Sequence, residues 1–517
     1  MDIARQSFRG GAVLFAGSLV ATLISATSNI VVARLLGPSN FGLFALAFVG
    51  PSMLQLLTHF GTRTAVTKYV AECMALGNVE RARRYVQSAM IFSILAGAVL
   101  AIVNFFSSGW MAVVLFQRPE LQPYIALASL FLFGQAVFLT VIASATGWYA
   151  MGQASLANVL VAALKLALGP TLILVGLGIA GGVLGQALAF LVGGVISAVI
   201  LYLTKVKFVR VRLSSLAEDL GELLKFGFQP FLGGVLVGSS SFYVSVLLAH
   251  VASNTVVGYY QTATNLTIPV SLLSAAVSSA LLPAFASLGA VEADTGQAFR
   301  MSVKYVSYVI GPVLFFLAAA SAELMKFFYG SSYVPGSQYL ALLALANTPI
   351  LIGSSFIPDF LTGIGKPRLT FVTMGLAAIV LFVSAPLLAV FGGLGVTGLI
   401  AALFALNVST AAVGLWLVKH YGLGVAGLHS PLATFAASAV ALGACLVLPG
   451  AGPSIVMLMV KFVVFVGIYL TLAPLFGAVD AVDLDRLSEL AGEIPLFMRL
   501  ASPFIRYEKL CVRLRGP

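Results

Sequence analysis

Apolar runs of roughly 20 residues, the length that crosses a bilayer, follow one another along nearly the whole chain. Short turns carrying Gly, Pro, Ser and charge separate them. Fourteen cores fit this pattern: 11–35, 41–63, 87–106, 124–146, 155–176, 180–203, 227–250, 256–281, 303–322, 338–361, 369–390, 395–418, 431–449 and 455–476. The pattern predicts an all-α polytopic membrane protein. The first run is too long for the core of a signal peptide and lacks a convincing cleavage site, so it reads as a retained span. Several spans carry prolines, among them Pro51, Pro170, Pro230, Pro312 and Pro386. Each removes a backbone hydrogen bond and permits a bend, which is compatible with alternating access and does not prove it.

Composition narrows the class. Of 517 residues, 60% are hydrophobic and 9% charged, against roughly a quarter charged in soluble domains. The net charge of +11 does not point to nucleic acid, because the basic residues sit at span ends and in short loops, the signature of membrane orientation. With the N-terminus in the cytoplasm, nearly all of the 28 Lys and Arg fall inside; Arg34, Arg118 and Lys326 lie outside, and Lys165 and Lys461 fall within spans. This predicts a multi-pass protein of the plasma or inner membrane with both termini cytoplasmic. Cys73, Cys445 and Cys511 have neither metal nor disulfide spacing, and no metal or cofactor is expected.

The chain repeats itself at a constant shift of 216 residues. Arg9 pairs with Lys225, Gly11 with Gly227, Arg34 with His250, Gly42 with Gly258 and Phe44 with Tyr260; Gln55, Thr58 and Thr62 pair with Ser271, Ser274 and Ser278; Arg84 pairs with Arg300 and Pro170 with Pro386. Six spans separate the copies, so both face the same way. The expected organisation is two six-helix parallel-repeat lobes, 1–204 and 226–420, joined by a cytoplasmic linker at 205–225. Two further helices follow within 421–476, then an interfacial cytoplasmic tail at 477–517. Within the linker, SSLAEDLGELLKF reads as a short amphipathic helix lying along the inner face.

Polar residues inside the spans are the candidate chemistry. Tyr260, Thr264, Thr267, Ser271, Ser274 and Ser278 step by three and four along span 8, which puts them on one stripe of a helix. Ser52, Gln55, His59 and Arg63 do the same on span 2, and Ser18, Thr22, Ser25 and Asn29 on span 1. Hydroxyls alone also serve close helix packing. Long amides and cations are costly in hydrocarbon and point to a wet cavity or a paired site. For Arg34 and Arg63, near span ends, snorkelling to the interface is the other reading; Lys461 has the same alternative. The expected substrate cavity is Asn29, Arg34, Gln55, His59, Arg63, Lys165, His250, Tyr260, Thr264, Thr267 and Ser271, mildly positive and suited to phosphate oxygens. Glu323 and Asp359 are the ion-coupling candidates, with an interfacial ion pair such as Asp359 to Lys366 or Arg368 as the alternative.

The stretch VVARLLGPSNFGLFALA, followed by HFGTRTAVTKYVAE and a basic loop, resembles the oligosaccharide flippases of the polysaccharide transporter family, in the multidrug/oligosaccharidyl-lipid/polysaccharide exporter superfamily. The resemblance covers nearly the whole chain. It implies V-shaped lobes around a central cavity and a flippase that moves an oligosaccharide on a polyprenyl phosphate or diphosphate from the inner to the outer leaflet by alternating access. It also implies membrane lipids and the glycosyltransferases or polymerase of the same pathway as partners. In related lipid-linked precursor flippases, cationic residues of the first two helices face the cavity, which maps onto Arg34 and Arg63. The peptidoglycan-precursor branch is richer in cavity arginines, so that role fits less well; its last two helices form a groove for the lipid tail. A multidrug exporter of the same superfamily is the alternative, but it would want an acid-lined pocket. A major-facilitator carrier lacks support from the loop after span 2. An enzyme would need catalytic groups on a large loop, whereas loops 107–123 and 323–337 carry only Arg118, Glu120, Glu323 and Lys326 as charges.

Overall fold

The computed structural model describes residues 2–207, 213–290, 295–423, 427–448, 454–485 and 495–514. Of the basic residues assigned above to the cytoplasmic side, Arg210, Arg212, Arg486 and Arg515 lie outside these ranges, as do the side chains of Arg5, Arg9 and Arg499 and that of Ser278 on span 8. Every regular element among the described residues is helical. That follows from the solvent: in hydrocarbon a backbone N–H or C=O has only its own helix to bond with. Eleven segments among the described residues are long and apolar enough to cross a membrane. The chain packs as two compact units, Met1–Gly258 and Tyr259–Pro517.

The first unit contains α1 (Asp2–Ala47), α2 (Val49–Leu57), α3 (Thr62–Ala75), α4 (Val79–Trp110), α5 (Gln122–Leu127), α6 (Ser129–Gly147), α7 (Met151–Leu172), α8 (Gly178–Leu201) and α9 (Leu213–Val251). Two of the eleven segments, Val13–Leu57 and Met151–Val206, run to 45 and 56 residues. At 1.5 Å per residue each would be more than twice the roughly 30 Å hydrocarbon core. Both double back. Gly185 approaches Gly169 and Gly193 approaches Val161, so α8 returns alongside α7. In α1 the backbone leaves helical geometry at Gly37. Val32 lies near Gly169, Phe44 lies against Gly182, and Phe48 packs edge-to-face with Phe131, which packs the same way with Phe190. The second limb of α1 therefore descends beside α8.

Small residues and buried amides join these helices. A Cβ on Gly185 would fall 2.4 Å from the Gly169 backbone, an approach open only to glycine. The Ser93 and Thr140 hydroxyls lie 2.6 Å apart, and Asn104 Nδ2 donates to Ile125 O at 2.8 Å and Ser129 Oγ at 2.9 Å. The repeat surfaces here as reciprocal packing. Gly42 meets Asn254 and Gly258 meets Pro38, and a shift of 216 residues exchanges the members of these pairs. The amphipathic stretch of the linker is not a separate surface element. It forms the first turns of α9, because its acids have partners on α4: Arg81 and Tyr85 donate to Glu222, and Arg84 lies 3.8 Å from Asp219.

The second unit begins inside α10 (Asn254–Ala290), at Tyr259, and contains the rest of that helix with α11 (Thr295–Ala319), α12 (Ser321–Tyr329), α13 (Ser337–Ala346), α14 (Ile357–Gly363), α15 (Pro367–Pro386), α16 (Gly395–His420), α17 (His429–Val447), α18 (Ser454–Leu475) and α19 (Pro495–Leu514). Lys461 on α18 does not snorkel. It is 7% exposed, and its Nζ sits 2.7 Å from Glu323 Oε1 and donates to Ala319 O at 3.0 Å. Glu323 is thereby held in a buried ion pair. The segment after α18 is fastened by charge: Lys304 on α11 pairs with Asp480 and Asp483, and Lys509 on α19 with Asp485. Tyr308 on α11 donates to Glu508 on α19. Burial pushes the Glu508 carboxyl up to about 7.

Lys461→Met, which strands Glu323 in a buried site, should destabilise the second unit by about 3–5 kcal/mol, read as a drop in thermal midpoint in detergent; Lys461→Met with Glu323→Leu should recover most of it. Glu508 binds its proton more tightly folded than unfolded, so its contribution to the docking of α19 is present below the unfolded carboxylate range and is lost as pH rises through about 7. Protection of the α19 amides, corrected for intrinsic exchange, should therefore fall as pH rises from about 4.5 to about 7, and Glu508→Gln should flatten that dependence.

Candidate functional site

Span 2 is the first place where the helix fails. Its polar residues were expected on one face of a continuous helix over 41–63. Instead α2 ends at Leu57, Thr58 closes it, and Phe60 (φ 42°) and Gly61 (φ 79°) turn the chain before α3 begins. Glycine is required at 61 on two counts. Its φ is left-handed, and a Cβ there would lie 1.8 Å from Gly227 O on α9. The break opens onto a cavity of about 700 Å³ lined by Gln55, His59, Arg63, Thr64, Thr67, Lys68, Thr146 and apolar residues of α6 and α9, including Phe231.

The amide–imidazole end of this cavity is ordered. Gln55 is 8% and His59 7% exposed. Gln55 Nε2 donates to Thr58 Oγ1 at 2.8 Å and lies 3.2 Å from His59 Nε2, while Thr58 Oγ1 donates to Gln55 O at 2.8 Å. Thr67 Oγ1 lies 3.1 Å from both Arg63 O and Ala143 O, tying α3 to α6. Lys68 rests over the Phe226 ring at 4.2 Å. The ionisable residues lining the cavity are Arg63, Lys68 and His59, with no carboxylate among them. The N-terminus of α3, with its partial positive charge, opens at the same break.

The second unit has a counterpart. A cavity of about 390 Å³ is lined by Thr267, Val270, Ser271 and Ser274 of α10, with Asn347, Ile350, Ser355 and Asp359. Here span 10 is the broken one. After α13 the chain runs through a 3-10 turn, Thr348–Ile352, and a left-handed Gly353 before α14 starts at Ile357. Asp359 forms no ion pair among the described residues, so the expected partners Lys366 and Arg368 are not engaged with it.

The other expected residues lie outside both cavities. Arg34 is exposed and Asn29 half-buried on α1. Lys165 lies over the Phe190 ring at 4.3 Å. His250 Nδ1 is 2.8 Å from Val246 O on its own helix. Tyr260 is buried, and Thr264 donates to Tyr260 O, so that hydroxyl is satisfied within its own helix. Ser52 is exposed. The sequence reading had not singled out Thr64, Thr67, Thr146, Asn347 or Ser355. The usable signals were a His-Phe-Gly and an Asn-Thr-Pro interrupting otherwise apolar spans.

Residues 31–338, more than half of the chain, match the family model described as polysaccharide biosynthesis protein. The chain is 26% identical over 367 residues to the stage V sporulation protein B of Bacillus subtilis, covering 64% of this chain and 68% of that protein. Among solved structures it superposes on the lipid II flippase MurJ in an inward closed conformation, with a TM-score of 0.70 at 15% identity over 90% of this chain and 99% of that one. It also superposes on an inward-facing multidrug resistance MATE transporter of the MOP superfamily, with a TM-score of 0.63 at 19% identity over 80% and 98%. One is a flippase and the other a multidrug transporter; neither is an enzyme. The chain belongs to the polysaccharide biosynthesis protein family and has the fold of the MOP superfamily transporters.

Proposed function

We propose that this protein is a flippase that carries an oligosaccharide attached to a polyprenyl phosphate or diphosphate from the inner to the outer leaflet. One observation carries the reading: the cavity at the broken span 2 presents Arg63, Lys68 and His59 and no carboxylate. A sugar phosphate cannot enter hydrocarbon unaided, since its charges and hydroxyls would lose their water. The cavity offers replacements. Arg63 supplies a planar fork of donors for phosphate oxygens, Lys68 a mobile second charge, and α3 the positive end of its dipole. The apolar walls of α6 and α9 exclude competing water, and the lipid tail stays in the bilayer.

Under this reading the chain crosses the membrane fourteen times: each doubled-back segment counts twice, and α10 adds one. Residues 1–204 and 226–420 act as the repeated lobes, both termini are cytoplasmic, and transport is by alternating access. The family name, polysaccharide biosynthesis protein, supports partners that build or polymerise the sugar, and so does the flippase named among the structural relatives. A multidrug exporter taking cationic compounds would instead need carboxylates in this cavity.

Arg63→Ala combined with Lys68→Ala should lower translocation of a polyprenyl-diphosphate oligosaccharide in proteoliposomes by about a hundredfold or more, the loss of two charge-assisted contacts, while insertion and monodispersity stay intact. Arg34→Ala, outside the cavity lining, should keep most of the activity. Full transport by the correctly inserted double variant would remove the anion site.

A further inference from the structure

The two cavities occupy equivalent places in the duplicated chain. By the shift of 216 residues, Gln55 corresponds to Ser271, Leu139 to Ser355 and Ala143 to Asp359, and each member of these pairs lines its own cavity. The chemistry has been exchanged. The imidazole His59 and the cations Arg63 and Lys68 correspond by register to Ala275, Ser279 and Ala284, while the apolar Leu139 and Ala143 correspond to a hydroxyl and a carboxylate. The duplication thus kept the hollow and changed the groups that line it.

The second cavity holds unused hydrogen-bonding capacity. The Ser274 and Ser355 hydroxyls are buried with no partner among the described residues. Ser271 and Asp359 likewise have no partner among them. Asn347 Nδ2 donates to Leu343 O, which leaves its Oδ1 only a long contact of 3.5 Å from Asn407 Nδ2. Three hydroxyls that can donate or accept, one carboxylate that accepts twice and one amide oxygen therefore converge on a space of about 390 Å³, within the roughly 300–1,000 Å³ of small-ligand sites. Such a set matches a ring of neighbouring hydroxyls, which need donors and acceptors in alternation. It does not match a phosphate, which the Asp359 carboxylate would repel. The chain is broken here, between Asn347 and Phe356, and irregular backbone at membrane depth is tolerated where it lines a cavity.

We propose that this cavity of the second unit is a saccharide-recognition subsite, with Asp359 and Ser355 the residues that select sugar hydroxyls. The proposal rests on the flippase reading for its substrate class but on a different set of residues. It predicts that selectivity for the sugar is set by substitutions at 355 and 359, whereas tolerance of the phosphate is set at 63 and 68.

The test uses thiol labelling of the full chain in detergent micelles, where Cys73, Cys445 and Cys511 are buried. Ser271→Cys should react with a small methanethiosulfonate. A panel of free hexoses, N-acetylhexosamines and linear trisaccharides should contain members that slow the reaction, whereas inorganic diphosphate should not slow it. Adding Asp359→Asn should raise the protecting sugar concentration about tenfold or more, the loss of a hydrogen bond to a charged group. If Ser271→Cys is not monodisperse, Thr267→Cys takes its place, since Thr267 lines the same cavity and its hydroxyl already donates to Thr264 O. Labelling that no sugar in the panel slows overturns the proposal. Labelling that sodium chloride alone slows as well as any sugar overturns it too, and makes the cavity a cation site. In parallel, Thr64→Cys should be protected by diphosphate. Failure there with sugar protection intact at Ser271→Cys strikes the phosphate reading of the first unit and leaves carbohydrate binding in the second.

Discussion

A peptide group in hydrocarbon has no water to bond with, so a spanning helix can stop partway only where protein or a wet cavity takes over its freed N–H and C=O groups. This constraint ties the functional features of the molecule together. Each unit contains a span that stops: span 2 at Thr58–Gly61 and span 10 between Asn347 and Phe356. Each interruption opens onto a polar cavity. The glycines at these points are consequences of the same constraint. Gly61 must adopt a left-handed turn while its backbone touches that of Gly227, and any side chain there would push α3 off α9.

Around that shared device the two units diverge in charge. In the first, Gln55, Thr58 and His59 form a hydrogen-bonded cluster that fixes the amide and imidazole in place, and the free cations follow one turn later on α3. In the second, Ser271 and Ser274 stand where Gln55 and Thr58 do, and the carboxylate of Asp359 replaces the apolar Ala143 on the opposite wall. Several charges elsewhere are paired locally: Lys461 with Glu323 in a buried pair, Lys304 with Asp480 and Asp483, and the exposed Arg81 with Glu222. The cavity charges are the contrast. Arg63 and Asp359 have no ion-pair partner among the described residues, so they keep their capacity for a ligand.

Much of this was legible in the chain itself. The apolar runs gave the all-helical membrane class because hydrophobic length is a one-dimensional property. The three-and-four spacing brought Gln55, His59 and Arg63 together correctly even though the helix is broken between them, because the turn joins α2 to α3 with Thr62 N donating to His59 O at 2.7 Å. The break itself was missed, since a single Gly inside an apolar run is usually tolerated by a helix. Lys461 read as an interfacial snorkeller because its partner Glu323 lies five spans away, and nothing in local pattern reports such a pairing. The linker acids read as a surface helix for the same reason, their partners being on α4. Tyr260 and Thr264 fitted the stripe on span 8 yet face the interior of the packing, as hydroxyl stripes in membranes commonly do.

The claim that a cationic hollow in the first unit holds the phosphate is tested most directly by a structure of the full chain determined with a polyprenyl-diphosphate oligosaccharide. The account predicts phosphate density within hydrogen-bonding reach of Arg63 and Lys68, beside the α2–α3 break. Phosphate density against Asp359, or outside both cavities with the Arg63 side chain unengaged, would contradict it.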